Sequence, residues 1–138
     1  MKFAHLGDCH LGSWRQSELK ELNFLSFQEA IKRCIAKKVD FVLISGDLFE
    51  SAYPPIDTLK EAFGEFRKLK EESIPVFLIA GSHDYSVSGK TFLDVLEKAA
   101  LCKNVSIFEE RQDKIFLIPT LYKNIAIYGY SGKKSSLE

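Results

Sequence analysis

The stretch Phe41-Val42-Leu43-Ile44-Ser45-Gly46-Asp47 decides the fold, because it is an apolar run of strand length that ends in a glycine and a carboxylate. Two other runs have the same form. Residues 2–7 lead into Asp8-Cys9-His10, and residues 76–80 lead into Gly81-Ser82-His83-Asp84. The three runs therefore predict β-strands that each deliver polar side chains where the strand ends.

Amphipathic segments of helix length separate the three runs. Apolar residues recur at spacings of three and four over residues 24–35 and again over 56–69, where Pro54-Pro55 suits a helix start. A third helix is predicted at about 91–100. Strands that alternate with helices are typical of parallel sheets, whose ligand sites lie just outside the carboxyl ends of the strands. The polar clusters are therefore expected to meet at one edge of the sheet.

Three more apolar runs follow the third predicted helix, at residues 105–108, 115–118 and 125–128. The short polar links at 111–114 and 122–124 predict that these later strands run antiparallel, as hairpins or a meander. The whole pattern predicts an α/β fold with a mixed, partly parallel sheet and flanking helices. His5 lies within the first predicted strand and is expected to be a packed or hydrogen-bonded core residue.

Composition indicates one domain of 138 residues with a single core, since 46% of the residues are hydrophobic. The 19 basic and 19 acidic residues balance, so a large sequence-independent attraction to nucleic acid is not expected. No apolar stretch approaches the ~20 residues that cross a bilayer. Met1 opens no cleavable signal pattern, and the three widely spaced cysteines fit a reducing compartment, so a cytoplasmic location without a membrane is expected.

The polar clusters carry ligand types that suit a transition metal. Asp8 and His10 are two residues apart, so at an extended strand end their side chains point the same way and can bind one cation. Carboxylate and imidazole suit Mn²⁺, Fe²⁺ or Zn²⁺ better than Ca²⁺. Asp47 is placed to bridge two cations, which in two-metal hydrolases lie roughly 3.5–4 Å apart. His83 can then contact a phosphoryl oxygen or the leaving group, with Asp84 orienting its imidazole.

The motifs Asp8-x-His10, Gly46-Asp47 and Gly81-x-His83-Asp84, in this order, resemble the first three motifs of the calcineurin-like metallophosphoesterases. The sequence around these motifs, notably FAHLGDCHLG at 3–12 and SGDLF at 45–49, is similar to that of the SbcD-like nucleases of DNA double-strand-break repair. The resemblance covers nearly the whole chain. It implies half of the calcineurin-like sandwich and a Mn²⁺-dependent exonuclease and endonuclease acting on DNA ends, with Fe²⁺, Zn²⁺ and Mg²⁺ as alternative ions. It also implies a homodimer that works with an ABC-type coiled-coil ATPase.

Carried over residue by residue, the resemblance implies that Asp8 and His10 hold the first metal ion. Asp47 would bridge both ions, and His83 would be the catalytic histidine. Ser82 is a departure, because the family usually has an asparagine here whose side-chain carbonyl binds the second ion. A serine hydroxyl is shorter and a weaker donor, so we expect the second ion to be held less tightly or through water.

The ligand count is incomplete by comparison with the family, which has further histidine ligands in a second half of the domain. The histidines of this chain are His5, His10 and His83, so the second ion has only Asp47 and Ser82. Residues 132–138 also look like a helix start with serines placed to cap it. Residues 1–138 are therefore expected to be the N-terminal part of a metallophosphoesterase domain without its C-terminal half.

Other interpretations of the same residues stay open. An aspartate or histidine at a strand end is often only a loop residue with local hydrogen bonds. Arg15 and Lys90 are predicted to contact DNA, although a solvated loop explains Arg15 equally well. The metal chemistry also suits a phosphodiesterase or phosphatase for small molecules. A non-catalytic module for dimerisation or partner binding is the third alternative, with the helix at about 55–70 and the segment 92–96 as its expected interface.

Overall fold

The computed structural model describes residues 1–86, 88 and 90–132. The helix start predicted beyond Gly132 lies outside these residues. Three helices and eight strands are formed within the described part of the chain. In chain order they are β1 (Phe3–Leu6), α1 (Ser17–Ala36), β2 (Phe41–Ser45), α2 (Ile56–Glu71), β3 (Val76–Ile79), α3 (Phe92–Lys98), β4 (Lys103–Asn104), β5 (Phe108–Arg111), β6 (Lys114–Leu117), β7 (Thr120–Tyr122) and β8 (Ile125–Ile127).

The first four strands form one parallel sheet in the order β1-β2-β3-β4. Phe3 of β1 lies opposite Phe41 of β2, and Val42 of β2 lies opposite Val76 of β3. The parallel sheet expected from the three apolar runs is thus confirmed. Because β1, β2 and β3 are neighbours, the loops that follow them leave the sheet side by side. β4 was not predicted, since it is only two residues long.

The main core lies between the sheet and the three helices. Alternate side chains of the central strands, including Val42, Ile44 and Leu78, face it. α1 begins at Ser17, earlier than predicted, because the leucines of its first turns, Leu19 and Leu22, are exposed and do not belong to the buried stripe of the later turns. Within the described residues, none of the helices combines the length and apolar content needed to cross a membrane. The helices contribute Phe27, Ile31, Cys34, Leu59, Ala62, Phe66, Leu69, Leu93 and Leu96 to this core.

A smaller core lies on the opposite face of the sheet, where Phe41, Phe77 and Val105 are buried. The β7–β8 hairpin covers them and is tied to the sheet through Asp40. The Tyr122 hydroxyl donates to the Asp40 carbonyl at 3.1 Å, and the Lys123 ammonium lies 2.8 Å from the Asp40 carboxylate. The hairpin is therefore held by hydrogen bonds as well as by apolar packing.

The later strands form two separate antiparallel hairpins, β5–β6 and β7–β8, as the polar links predicted. The strand predicted at 105–108 is wrong. Val105 is instead buried against the sheet, and β5 begins only at Phe108. The strands predicted at 115–118 and 125–128 match β6 and β8 to within one residue, whereas β5 and β7 were not predicted.

His5 was expected in the core but is exposed. It lies in β1, at the edge of the sheet, and pairs with Leu43 of β2. Side chains alternate between the faces of a strand, so while Ala4 and Leu6 pack on the helices, His5 is turned to the other face. The β7–β8 hairpin covers the part of that face around Phe41 and Phe77.

Candidate metal centre

The loops after β1 and β2 extend the parallel pairing of those strands beyond the sheet. The Asp8 N–H donates to the Gly46 carbonyl at 3.3 Å, and the His10 N–H donates to the Asp47 carbonyl at 2.9 Å. One residue further, the Leu11 N–H donates to the Leu48 carbonyl at 3.0 Å. These bonds fix the two loops against each other and place all three predicted ligands of the first ion in one region.

The predicted extended geometry of Asp8 and His10 is wrong, because both residues have a left-handed backbone with φ of 52° and 45°. Asp47 has the same conformation at φ 49°. The side chains still converge: Asp8, His10 and Asp47 each offer a donor atom, and these atoms lie within 4.8 Å of one another. The Nε2 atom of His10 is 3.6 Å from the Asp8 carboxylate. Two carboxylates and one imidazole at this spacing fit a divalent transition metal.

The loop after β3 packs directly on Asp47. The His83 N–H donates to Oδ1 of Asp47 at 2.8 Å, and the Ser82 hydroxyl donates to Oδ2 at 3.4 Å. Only glycine fits the contact, because a Cβ on Gly81 would lie 2.3 Å from both the backbone nitrogen and Oδ1 of Asp47. A Cβ on Gly46 would likewise lie 2.8 Å from the Gly81 Cα. The two glycines therefore bring Ser82 and His83 beside Asp47.

Asp84 fastens this third loop to the second. Its side chain is buried and accepts backbone N–H bonds from Leu48, Phe49 and Gly81 at 3.2, 3.0 and 3.0 Å. Burial raises the pKa of Asp84 and the charge of Asp47 adds to the rise, while the three N–H donors act against it. Both carboxylate oxygens of Asp84 thus accept hydrogen bonds from backbone N–H groups. This geometry favours a structural role in the turn over the predicted orientation of the His83 imidazole.

Glu50 is the site residue that the sequence analysis missed. The Nδ1–H of His10 donates to its carboxylate at 2.8 Å, and the Nδ1–H of His83 donates to its backbone carbonyl at 2.9 Å. The two imidazole rings meet edge to face, with centroids 4.8 Å apart. Binding both Nδ1–H groups presents the Nε2 atoms of His10 and His83 to a cation or substrate. The available signal was a carboxylate three residues after Asp47, in the same loop.

His10, Glu50 and His83 form a second group whose donor atoms also lie within 4.8 Å of one another. This group shares His10 with the first, but the Glu50 carboxylate lies 2.8 Å from Nδ1 of His10 and 3.5 Å from Nδ1 of His83, so it orients the imidazoles. Burial raises the pKa of the neighbouring Cys9 thiol to about 11, with the charges of Asp84 and Asp8 adding to the rise. Cys9 therefore stays protonated at neutral pH and packs as a small hydrophobic residue.

Arg15 and Lys90 are both exposed. Arg15 lies in the loop that leads into α1, and Lys90 directly precedes Thr91, the N-cap residue of α3. Their contact with DNA stays a prediction.

Three loops at the carboxyl ends of parallel strands, with mixed carboxylate and imidazole donors, define a metal-dependent phosphoesterase. Residues 1–133 match the family described as calcineurin-like phosphoesterase. The chain belongs to this family. Membership implies a divalent metal centre, and Asp8, His10 and Asp47 are its candidate ligands.

Several curated proteins to which the chain is similar carry the name DNA double-strand break repair protein Mre11. The chain is 40% identical to the protein of Methanococcus maripaludis over 122 residues, which is 84% of this chain and 32% of that protein. It is 41% identical to the Methanocaldococcus jannaschii protein over 61% of this chain and 24% of that protein. The Methanosarcina mazei protein is 32% identical over 94% of this chain and 19% of its own length. The chain thus spans a third or less of these relatives.

Proposed function

We propose that the chain is the N-terminal part of a Mn²⁺-dependent phosphodiesterase that acts on DNA ends during double-strand-break repair. The convergence of Asp8, His10 and Asp47 within 4.8 Å, with His83 bonded to Asp47, carries the proposal. The names of the relatives support DNA as the substrate. The proposal includes a cytoplasmic homodimer that works with an ABC-type coiled-coil ATPase.

The three ligands of the first ion are Asp8, His10 and Asp47, and Asp47 together with Ser82 begins the second position. Divalent cations bound there would supply Lewis acidity and neutralise charge on the phosphoryl group. Mn²⁺ accepts both carboxylate and imidazole donors, as do Fe²⁺ and Zn²⁺, while Mg²⁺ prefers an all-oxygen set. The imidazole of His10 therefore favours the transition metals.

His83 is the residue proposed to act on the substrate. Since its Nδ1–H donates to the Glu50 carbonyl, Nε2 is the ring nitrogen left to act on a substrate. In the imidazolium form, the proton on Nε2 can be donated in a hydrogen bond to a phosphoryl oxygen or transferred to the leaving oxygen, which leaves the neutral ring. Its backbone N–H holds the Asp47 carboxylate, so one residue positions both a metal ligand and the catalytic imidazole.

The first experiment is calorimetric titration of the 138-residue chain with Mn²⁺, compared with Asp47→Ala. We expect binding to the wild type and its loss in the variant. Asp57→Ala is the matched control, because Asp57 is exposed in the first turn of α2, and it should bind Mn²⁺ as the wild type does. Equal titrations of the wild type and Asp47→Ala would refute the metal centre.

The substrate is tested separately, because a small-molecule phosphodiesterase would use the same centre. Mn²⁺-dependent degradation of end-labelled DNA, compared with hydrolysis of bis(p-nitrophenyl) phosphate, distinguishes the two. Activity on the small ester alone would contradict the DNA assignment. Mn²⁺ binding without either activity would favour the non-catalytic module.

A further inference from the structure

A cleft of about 710 Å³ opens beside the candidate metal centre. It begins at Ser82 and His83 and extends to Tyr53, Tyr85 and Ser88. We propose that this cleft binds a nucleobase adjoining the phosphodiester at the metal centre, with the base stacked on Tyr53. The inference rests on the proposed function and names a substrate subsite for it.

Tyr53 has the reverse of the usual arrangement of a tyrosine. Tyrosine normally buries its ring and leaves its hydroxyl in water. Here the side chain is 64% exposed, whereas the hydroxyl is held 3.0 Å from the Ser86 hydroxyl and 3.2 Å from that of Ser88. Ser86 is buried and its hydroxyl lies 2.8 Å from that of Ser88, which closes a triangle of hydrogen bonds. An exposed ring that is anchored through its hydroxyl can stack a base with little further loss of freedom.

The position of the cleft matches the geometry of a phosphodiester. Its inner end is formed by Ser82 and His83, which contact the Asp47 carboxylate, so a group in the cleft directly adjoins one held at the ions. Its volume lies within the range of small-molecule sites. A second half-exposed ring, Tyr85, lines the wall, while the serine hydroxyls offer partners for the polar edge of a base.

Charge favours a nucleotide over a neutral aromatic ligand. The hydrogen bonds to Ser86 and Ser88 lower the pKa of Tyr53, and the charge of Lys90 adds to this effect. The Lys90 N–H donates to the Ser88 hydroxyl at 3.5 Å, so Lys90 adjoins the cleft where Ser88 lines it. Lys90 can therefore bind a phosphate next to a base in the cleft.

A base that enters the cleft must leave the stack of a duplex. We therefore expect this subsite to favour single-stranded or frayed ends. The stacking of one base on one aromatic ring is enough for about a tenfold gain in affinity. We therefore expect the chain to bind a nucleotide about tenfold more tightly than the same sugar phosphate without its base.

The test uses the Mn²⁺-loaded 138-residue chain and calorimetry with dAMP, 2-deoxyribose 5-phosphate and inorganic phosphate. The wild type should bind dAMP about tenfold more tightly than the sugar phosphate. Tyr53→Ala should remove this advantage and leave sugar phosphate affinity unchanged, whereas Tyr53→Phe keeps the ring without its hydroxyl anchor and should retain part of the advantage. Tyr128→Ala removes an exposed ring outside the cleft and should match the wild type.

Equal affinity for dAMP and the sugar phosphate in the wild type, or an advantage that persists in Tyr53→Ala, would overturn the inference. If none of the three phosphates binds, the proposed phosphoesterase site fails, and the cleft is then tested alone with deoxyadenosine. Chemical shift changes of the Tyr53 ring on adding deoxyadenosine would still support the subsite. Unchanged Tyr53 shifts would overturn it.

Discussion

Gly81→Ala is expected to damage both the fold and the metal centre, because the Gly81 backbone packs directly on Asp47. An added Cβ would lie 2.3 Å from Asp47 N, 2.3 Å from Oδ1 and 2.6 Å from Cγ. Non-bonded carbon atoms settle about 3.5–4.0 Å apart, so the loops after β2 and β3 must separate by roughly 1 Å. Overpacking of this kind costs about 1–3 kcal/mol.

Thermal unfolding measures the cost. A loss of about 2 kcal/mol lowers the Tm of a domain of this size by roughly 8 °C. Gly64→Ala is the matched control, because Gly64 is exposed in α2 and nothing lies within 4 Å of its added Cβ. In a helix interior the same substitution should stabilise by about 0.5–1 kcal/mol. The two variants should therefore shift the Tm in opposite directions.

Metal affinity gives an independent reading of the same contact. Gly81→Ala displaces the Asp47 carboxylate, so we expect Mn²⁺ affinity to fall at least about tenfold, which corresponds to about 1.4 kcal/mol. Gly64→Ala should leave it unchanged. A Gly81→Ala protein that melts with the wild type and binds Mn²⁺ equally well would show that the two loops do not meet, and the reasoning about the site would fail with that contact.

Three further results are expected. Glu50→Gln should weaken Mn²⁺ binding about 10–100-fold, as loss of the carboxylate partner of a ligand histidine does; an unchanged titration would show that His10 needs no such partner. The hydrogen bonds from the Lys123 ammonium and then the Lys2 N–H hold the pKa of Asp40 below its ordinary value. The ionised Asp40 therefore stabilises the folded state fully above the ordinary pKa, and this stabilisation is lost as the pH falls through the lowered pKa. Urea midpoints of Asp40→Asn should consequently fall less on acidification than those of the wild type, and parallel curves would contradict this. Burial raises the pKa of Cys102 to about 12, with the charge of Glu97 adding to the rise, so about one thiol in ten thousand is ionised at pH 8. Iodoacetamide should modify Cys102 far more slowly than a free thiol, whereas equal rates would show that it is not buried.

The parallel sheet could be predicted because β2 and β3 are buried runs of apolar residues that each end in a glycine motif. The same rule fails where burial is slight. β5 is exposed throughout and is defined by its backbone pairing with β6, which its side chains do not predict. β7 is three residues long and follows Pro119, so it presents no apolar run.

Some residues of the candidate site could be predicted from the sequence, and one could not. Asp8, His10 and Asp47 could be found because they directly follow predicted strands. Glu50 was missed, since its importance depends on contacts with His10 and His83 that only the folded loops create. Sequence reasoning therefore identifies the residues at the strand ends more easily than the residues that orient them.

The left-handed backbone of Asp8, His10 and Asp47 shows how the chain holds its ligands in place. This conformation is unfavourable for residues other than glycine and is maintained only when surrounding contacts over-determine it. Here the contacts are the loop-to-loop bonds of the Asp8 and His10 N–H groups and the three N–H bonds to the buried Asp84 carboxylate. The chain's own hydrogen bonds thus bring the donors together. Cation binding is therefore expected to stabilise an arrangement that the fold has already formed, rather than to assemble it.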